Sequence, residues 1–405
     1  MINQQKQVGA AQETFDAINV PVHRASTILF ANSKEFLDRR QRLYDGYSYG
    51  LYGTPTSRAL EKAVADIEGG TRCVVVPSGL AALTHSLLAF CKTGDHVLAA
   101  DCIYGSTRAF LQKALNDLGI SVSFFPSDAG SIHDLIQART KVVLLESPGY
   151  YTMEIQDIEP IAREAHAAGA LVLIDNSWGF AASKMFDHGV DVCCTALSKY
   201  AAGHADLCMG AITVKDEGLF RRIKEFVSAI GAGVSSDDAY MALRGLATLE
   251  TRLAEHARRG LSLSNWLLEQ PGVERVLNPA LVGDPYHERF KRYFSAGNGL
   301  VSVLFRNRSR KALTEMIDSL TVFRIGASWG SSHSLVALAE PAPTRSIDGW
   351  APGEYVVRFH VGFERMDDLF SDIRGALDRL EHAPPPGHFS ESLDLPVPIA
   401  SASVN

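Results

Sequence analysis

Short apolar runs rich in β-branched residues recur along the first two thirds of the chain, at residues 73–76, 96–100, 121–125, 141–146, 170–175, 191–197 and 209–214. Runs of this length bounded by turn residues read as strands, and patterns of helical spacing fill most of the gaps between them. Strands alternating with helices predict an α/β architecture, here a mostly parallel seven-stranded sheet with helices on both faces. Ahead of the first strand, Thr56 is placed to cap a helix on which Leu60, Val64 and Ile67 follow helical spacing, with Gly69-Gly70 ending it. Residues 215–269 read as mostly helical, carrying Leu243, Leu246, Leu249 and Leu253 and then Leu261, Leu263 and Leu267 until Pro271-Gly272 breaks the pattern. Strands near 299–305 and 355–361 and a last helix over 366–380 predict a smaller α+β unit.

These elements divide the chain into an N-terminal extended arm (1–55), a large domain (56–247), a C-terminal α+β domain (248–382) and a tail (383–405) whose Pro384-Pro385-Pro386 and Ser/Ala-rich end predict disorder. The arm has no core of its own, so docking on something else, another subunit included, is its most economical use. The glycine- and tyrosine-rich stretch from Tyr44 to Thr56 predicts a loop.

Composition adds limits. A chain of 405 residues, 46% of them hydrophobic, can bury a large core, and a net charge of −7 without a basic run gives no reason to expect nucleic acid or an anionic membrane as partner. No stretch reaches the length of a membrane span, and Met1 to Gln7 lacks the apolar core of a signal peptide, which predicts a cytoplasmic location. Cys73, Cys91, Cys102, Cys193, Cys194 and Cys208 show no metal-ligand spacing and lie mostly in apolar runs, as free thiols in a reducing compartment do. The adjacent Cys193 and Cys194 would point to opposite faces of a strand. The histidines show no ligand spacing either, so no metal is expected.

Two strand ends carry candidate chemistry. Residues 191–197 lead into Ser198-Lys199-Tyr200, placing a lysine at the carboxyl end of a strand, where ligands bind in open α/β sheets. A lysine amine there can lose its proton and condense with a carbonyl cofactor. Upstream, residues 170–175 end in Asp175, and a carboxylate so placed can pair with a protonated pyridine nitrogen, as pyridoxal phosphate requires. A third feature, Pro77-Ser78-Gly79-Leu80, follows a strand and opens a helix. The free amides of Gly79 and Leu80 and the positive end of the helix dipole suit a phosphate, with Ser78 and Ser198 as further donors.

The segments Ile174-Asp175-Asn176 and Leu197-Ser198-Lys199-Tyr200, with Tyr49-Gly50 and Gly53-Thr54 before them, resemble the cysteine and methionine metabolism family of pyridoxal phosphate enzymes, and within it the bacterial cystathionine β-lyases. The resemblance covers about Val20 to Leu380 and implies the aspartate-aminotransferase-like fold (fold type I). It implies that Lys199 holds pyridoxal 5'-phosphate and moves the substrate Cα proton, that Tyr104 stacks on the cofactor ring, and that Tyr49 reaches a neighbouring subunit's site. It further implies that Arg358, with Ser328, binds the substrate carboxylate. Trp329, and Gly149 after Pro148, resemble the β-lyases rather than the relatives acting at Cγ. Three positions depart from the family: Leu51 replaces an arginine, Ser228 a tyrosine, and His333 stands where many members have glutamate. The implied reaction is cleavage of L-cystathionine to homocysteine, pyruvate and ammonia by a homotetramer of two close dimers. A general cysteine-S-conjugate lyase, a γ-lyase or γ-synthase, a racemase side activity and a catalytically silent scaffold remain open alternatives.

Overall fold

A computed structural model describes residues 17–381. The first sixteen residues and the predicted tail 383–405 lie outside the described residues. The expected strands form at β1 (Arg72–Val76), β2 (His96–Ala100), β3 (Ser121–Phe125), β4 (Thr140–Glu146), β5 (Leu171–Asp175), β6 (Val192–Ala196) and β7 (Gly210–Val214). They join in one seven-stranded sheet of order β1-β7-β6-β5-β4-β2-β3. Pairing is parallel except that β7 runs against both β1 and β6. Two reversals leave β1 pointing the same way as β6, so the strands β1, β2, β4, β5 and β6 all end at one edge. That edge gathers Ser78, Tyr104, Glu146, Asp175 and Lys199.

Buried side chains explain why these runs are strands with both faces covered. Every residue of β2 and β7 is buried, as is most of β1, β4, β5 and β6, the pattern of a sheet with helices on each face. Cys193 and Cys194 are both fully buried, one on each face, and of the six cysteines only Cys208 is exposed.

The helix after the N-terminal segment differs from the expectation at its start. It runs Pro55–Glu68 and is capped by Thr54, whose hydroxyl accepts from Ser57 N while Ser57 Oγ accepts from Thr54 N. Pro55 lacks an N–H and has its φ preset for the first helical position, so the cap falls on the residue before it and not on Thr56. Thr56 instead ties down the arm: its hydroxyl donates to Pro21 O at 2.8 Å and accepts from His23 N at 2.9 Å. Arg24 pairs with Asp237 of the same chain. The stop at Gly69, in a left-handed conformation, is as expected.

Beyond the long helix Leu249–Leu268, a second sheet combines β8 (Val273–Leu277), β9 (Leu300–Phe305), β10 (Arg324–Ile325), β11 (Leu335–Ala339) and β12 (Val356–His360) in the order β10-β11-β12-β9-β8. The sequence pattern anticipates β9, β12 and the last helix, Met366–Glu381. On β12 the alternation is strict. Val357 and Phe359 enter the core of this sheet with Val301 and Val303, while Arg358 and His360 face the other way.

Candidate active site

Lys199 follows β6 within a tight turn, and its Nζ donates to Ser328 Oγ at 2.8 Å. Burial, followed by the positive charge of Arg358, lowers the amine to about 8. An amine held there is partly neutral near neutral pH, as a nucleophile or base must be. The indole of Trp329 lies beside it, its ring centroid 5.3 Å from Nζ.

Arg358 comes from the middle of β12 and is 2% exposed. Its Nη2 reaches only the carbonyls of Ala327 and Ser328, at 3.4 and 3.3 Å, and its Nε is buried without a partner. A guanidinium buried this deeply with unused donors is suited to an incoming carboxylate. The Tyr151 ring covers it at 4.5 Å. Tyr151 continues into an edge-to-face ladder, 4.3 Å to Tyr150 and from there 4.9 Å to Tyr104. Tyr104 is fixed by its own amide, which donates to Glu146 Oε2 at 2.6 Å.

Asp175 ends β5 directly beside Glu146, which ends β4. Burial raises the Asp175 carboxyl; hydrogen bonds from Ser177 and the charge of Lys199 oppose it without cancelling it. Burial and the neighbouring Asp175 push Glu146 well up. Two buried carboxyls at adjacent strand ends cannot share one negative field cheaply, so a cation beside Asp175 would relieve the site. Sequence reasoning assigned Glu146 no role. Its signal was the one that found Asp175, an acid closing an apolar strand.

The helix Gly79–Phe90 begins against the end of β6. Its amides at Gly79 and Leu80 have no preceding turn to bond, while Ser78 Oγ accepts from Ala81 N at 3.0 Å. Glycine is required for that approach: a Cβ on Gly79 would stand 2.5 Å from Ala196 Cβ, and one on Gly210 would stand 2.1 Å from Ser78 O. Ser198 Oγ is engaged with Met209, donating to its carbonyl at 3.2 Å and accepting from its amide at 2.9 Å. The group therefore offers a phosphate-binding helix terminus, a carboxylate for a cationic ring nitrogen and an amine for a carbonyl, which is the donor set that pyridoxal phosphate fits.

Lys199, Ser328, Trp329 and Arg358 are thus in direct contact or nearly so, with Tyr104, Asp175 and the Ser78–Leu80 turn at the same sheet edge. Tyr49 stands apart. It is 44% exposed, its ring meets Tyr52 at 6.2 Å, and among the described residues it makes no hydrogen bond or ring contact with Lys199, Tyr104 or Arg358. The two departures Leu51 and Ser228 line one narrow cleft together with Gly233 and buried Lys224. His333 is largely exposed, 4.0 Å from Glu364.

Residues 3–378 match the family described as Cys/Met metabolism PLP-dependent enzyme. The chain is 38% identical over 377 residues to an L-alanine/L-glutamate racemase of Wolbachia pipientis wMel, covering 90% of this chain and 93% of that one. It is 36% identical over 367 residues to a cystathionine beta-lyase of Bordetella avium, covering 89% and 92%. The solved metY protein of Campylobacter jejuni, which contains N'-pyridoxyl-lysine-5'-monophosphate, superposes with a TM-score of 0.81 at 26% identity, covering 89% of this chain and 95% of that one.

Proposed function

This chain belongs to the Cys/Met metabolism PLP-dependent enzyme family, and from that premise we propose that it is a carbon–sulfur β-lyase cleaving L-cystathionine to homocysteine, pyruvate and ammonia. The enzyme is a lyase whose cofactor is pyridoxal 5'-phosphate. When bound, that cofactor supplies the electron sink that makes a substrate Cα proton removable. In this reading Lys199 holds the cofactor until the substrate amine takes its place and frees it. The Gly79 and Leu80 amides with Ser78 receive the phosphate, joined by Ser198 when its hydroxyl turns from Met209 O, Asp175 meets the ring nitrogen and Tyr104 flanks the ring.

The chain's own groups then divide the work. Arg358 takes the substrate α-carboxylate on its unused donors and so fixes the Cα–H bond relative to Lys199. Lys199, with an amine near pH 8, removes that proton, and Ser328 keeps the amine aimed. The Cβ–S bond then breaks, homocysteine leaves as a thiolate that is protonated, and the three-carbon remainder takes up water and departs as pyruvate and ammonia. Trp329, beside Nζ, narrows the space around the reacting atoms.

One observation carries the reading: the Lys199–Ser328 hydrogen bond lies beside a buried arginine with donors to spare. Cystathionine beta-lyases among the relatives, at 36% and 35% identity, favour cystathionine as substrate. A second reading, amino-acid racemisation, is favoured by the relative named as a racemase. It needs the same proton removal but returns the proton to the opposite face with no bond broken at Cβ. The test is purified protein given L-cystathionine, with pyruvate and free thiol measured together, and L-alanine in parallel with D-alanine measured. Equal amounts of pyruvate and thiol, lost in Lys199→Ala, support the lyase; D-alanine without thiol release would replace it with the racemase.

A further inference from the structure

His360 lies two residues beyond Arg358 on the same face of β12 and is fully buried. Both of its ring nitrogens are occupied by backbone groups. Gly330 N donates to Nε2 at 2.9 Å, and Nδ1 is 3.2 Å from the carbonyl of His333. An amide can only donate and a carbonyl can only accept, so Nε2 is bare and Nδ1 carries the proton. The contacts admit one neutral tautomer.

Gly330, the residue whose amide meets His360, packs directly on the backbone of the reacting lysine. Its φ is +93°, and a Cβ there would stand 2.7 Å from Lys199 C and Tyr200 N. The loop that Gly330 ends is pressed against the Lys199 backbone and supplies two groups to the site. One is Ser328 Oγ, which accepts from Lys199 Nζ at 2.8 Å. The other is the pair of carbonyls at Ala327 and Ser328 that meet Arg358.

We propose that His360 is a positioning residue for the reaction: by accepting the Gly330 amide it holds the Ser328–Trp329 loop in register with both Lys199 and Arg358. It touches neither substrate nor cofactor. Among the described residues Arg358 has no carboxylate partner, so the loop is the element that orients it, and His360 is the side chain that fixes the loop. Tyr200, His256 and Trp329 pack around this point, with ring centroids of His360 at 6.0 Å from Tyr200 and 5.2 Å from His256. Burial, aided by His256, holds the His360 imidazole well below its ordinary value, so the acceptor stays bare. The inference rests on the reading of Lys199, Ser328 and Arg358 as the reaction site.

The test compares His360→Leu, His360→Asn and His360→Gln. The glutamine amide oxygen reaches about as far as Nε2 and can accept from Gly330, whereas the asparagine oxygen reaches only as far as Nδ1. Loss of one buried hydrogen bond that leaves its donor unpaired predicts a KM for the amino-acid substrate raised about tenfold in the leucine and asparagine variants. The glutamine variant stays within about threefold of wild type. A readout independent of turnover is acrylamide quenching of Trp329 fluorescence, taken as the difference from a Trp329→Phe background, in cofactor-free and cofactor-loaded protein. It rises where the loop is released and not in the glutamine variant. Should the leucine variant fail to fold, the asparagine and glutamine pair decides alone. Unchanged KM and quenching in His360→Asn would overturn the proposal, as would a glutamine variant as impaired as the asparagine one. Ser328→Ala serves as the separate control: no effect on kcat or KM there would mean that the site reading, and not the role of His360, is at fault.

Discussion

Lys199 shows how a side chain's surroundings set its chemistry. A lysine amine in water is protonated up to about pH 10.4, yet here burial and then the Arg358 charge bring it to about 8. In cofactor-free protein, trinitrophenylation of Lys199, followed on its own peptide by mass spectrometry, should rise about tenfold per pH unit below 8 and level off above it. Exposed lysines should go on rising. Arg358→Leu removes a like charge that disfavours protonation, so the midpoint should move to higher pH; a midpoint that stays or falls would show that Arg358 does not act on this amine. Lys199 and Asp175 were legible in the sequence because each closes an apolar strand, and strand ends are where an α/β sheet binds ligands. His360 was not legible. It reads as one more residue of a buried strand, and its partners are backbone groups at Gly330 and His333, which no side-chain pattern announces.

Among elements, the connection between β11 and β12 acts as a clasp on the large sheet. Asp101, fully buried just after β2, accepts from the amides of Ser346, Ile347 and Asp348 at 2.8 to 3.0 Å and pairs with Arg108 at 3.0 Å. In return Arg345 donates to Tyr150 O at 3.0 Å and to Thr152 Oγ1 at 2.8 Å, beside the tyrosine ladder. Burial by itself would raise the Asp101 carboxyl, but the hydrogen bonds from Asp348, Ile347 and Ser346 outweigh it and hold the group below its ordinary value. A lowered carboxyl stabilises the folded state fully above its unfolded value, 3.8, and loses that contribution as the pH falls through the native one. Asp101→Asn should therefore cost roughly 2–4 kcal/mol at pH 7. In urea denaturation the gap to wild type should shrink as the pH drops below about 4; a gap indifferent to pH would show that the charge is not what holds the clasp. None of this could be read from the chain, since three of the acceptor's partners are amides of distant residues. The strands β8, β10 and β11 escaped sequence reasoning for a related reason. Two of the five residues of β8 are exposed, β10 is two exposed residues long, and β11 is a Leu-Val-Ala-Leu-Ala run with only two buried positions, so none presents the apolar alternation that revealed β9 and β12.

At the scale of the whole molecule, the first described stretch exposes a run of apolar side chains. Ile18, Val20, Leu29, Phe36, Leu37, Tyr47 and Tyr49 all lie at the surface of residues 17–52, although Pro21 to Arg24 are fastened to the chain's own helices. So many large apolar side chains left exposed in one segment suit a protein partner, and the resemblance implies a second copy of the same chain. In that reading Tyr49, which stands apart from the site of its own chain, would complete the neighbour's site. That reading makes a quantitative demand on mixed oligomers. In a dimer pairing Tyr49→Ala with Lys199→Ala, one site combines intact Lys199 with the neighbour's intact Tyr49, and the other site has lost both. Each variant alone should be nearly inactive, while co-expressed protein, in which about half the dimers are mixed, should recover about a quarter of wild-type activity. Sedimentation velocity on the same samples would establish that the subunits associate. If the chains associate and the mixture stays as inactive as its parents, Tyr49 serves its own subunit or none, and the exposed stretch is an interface that carries no catalytic group across it.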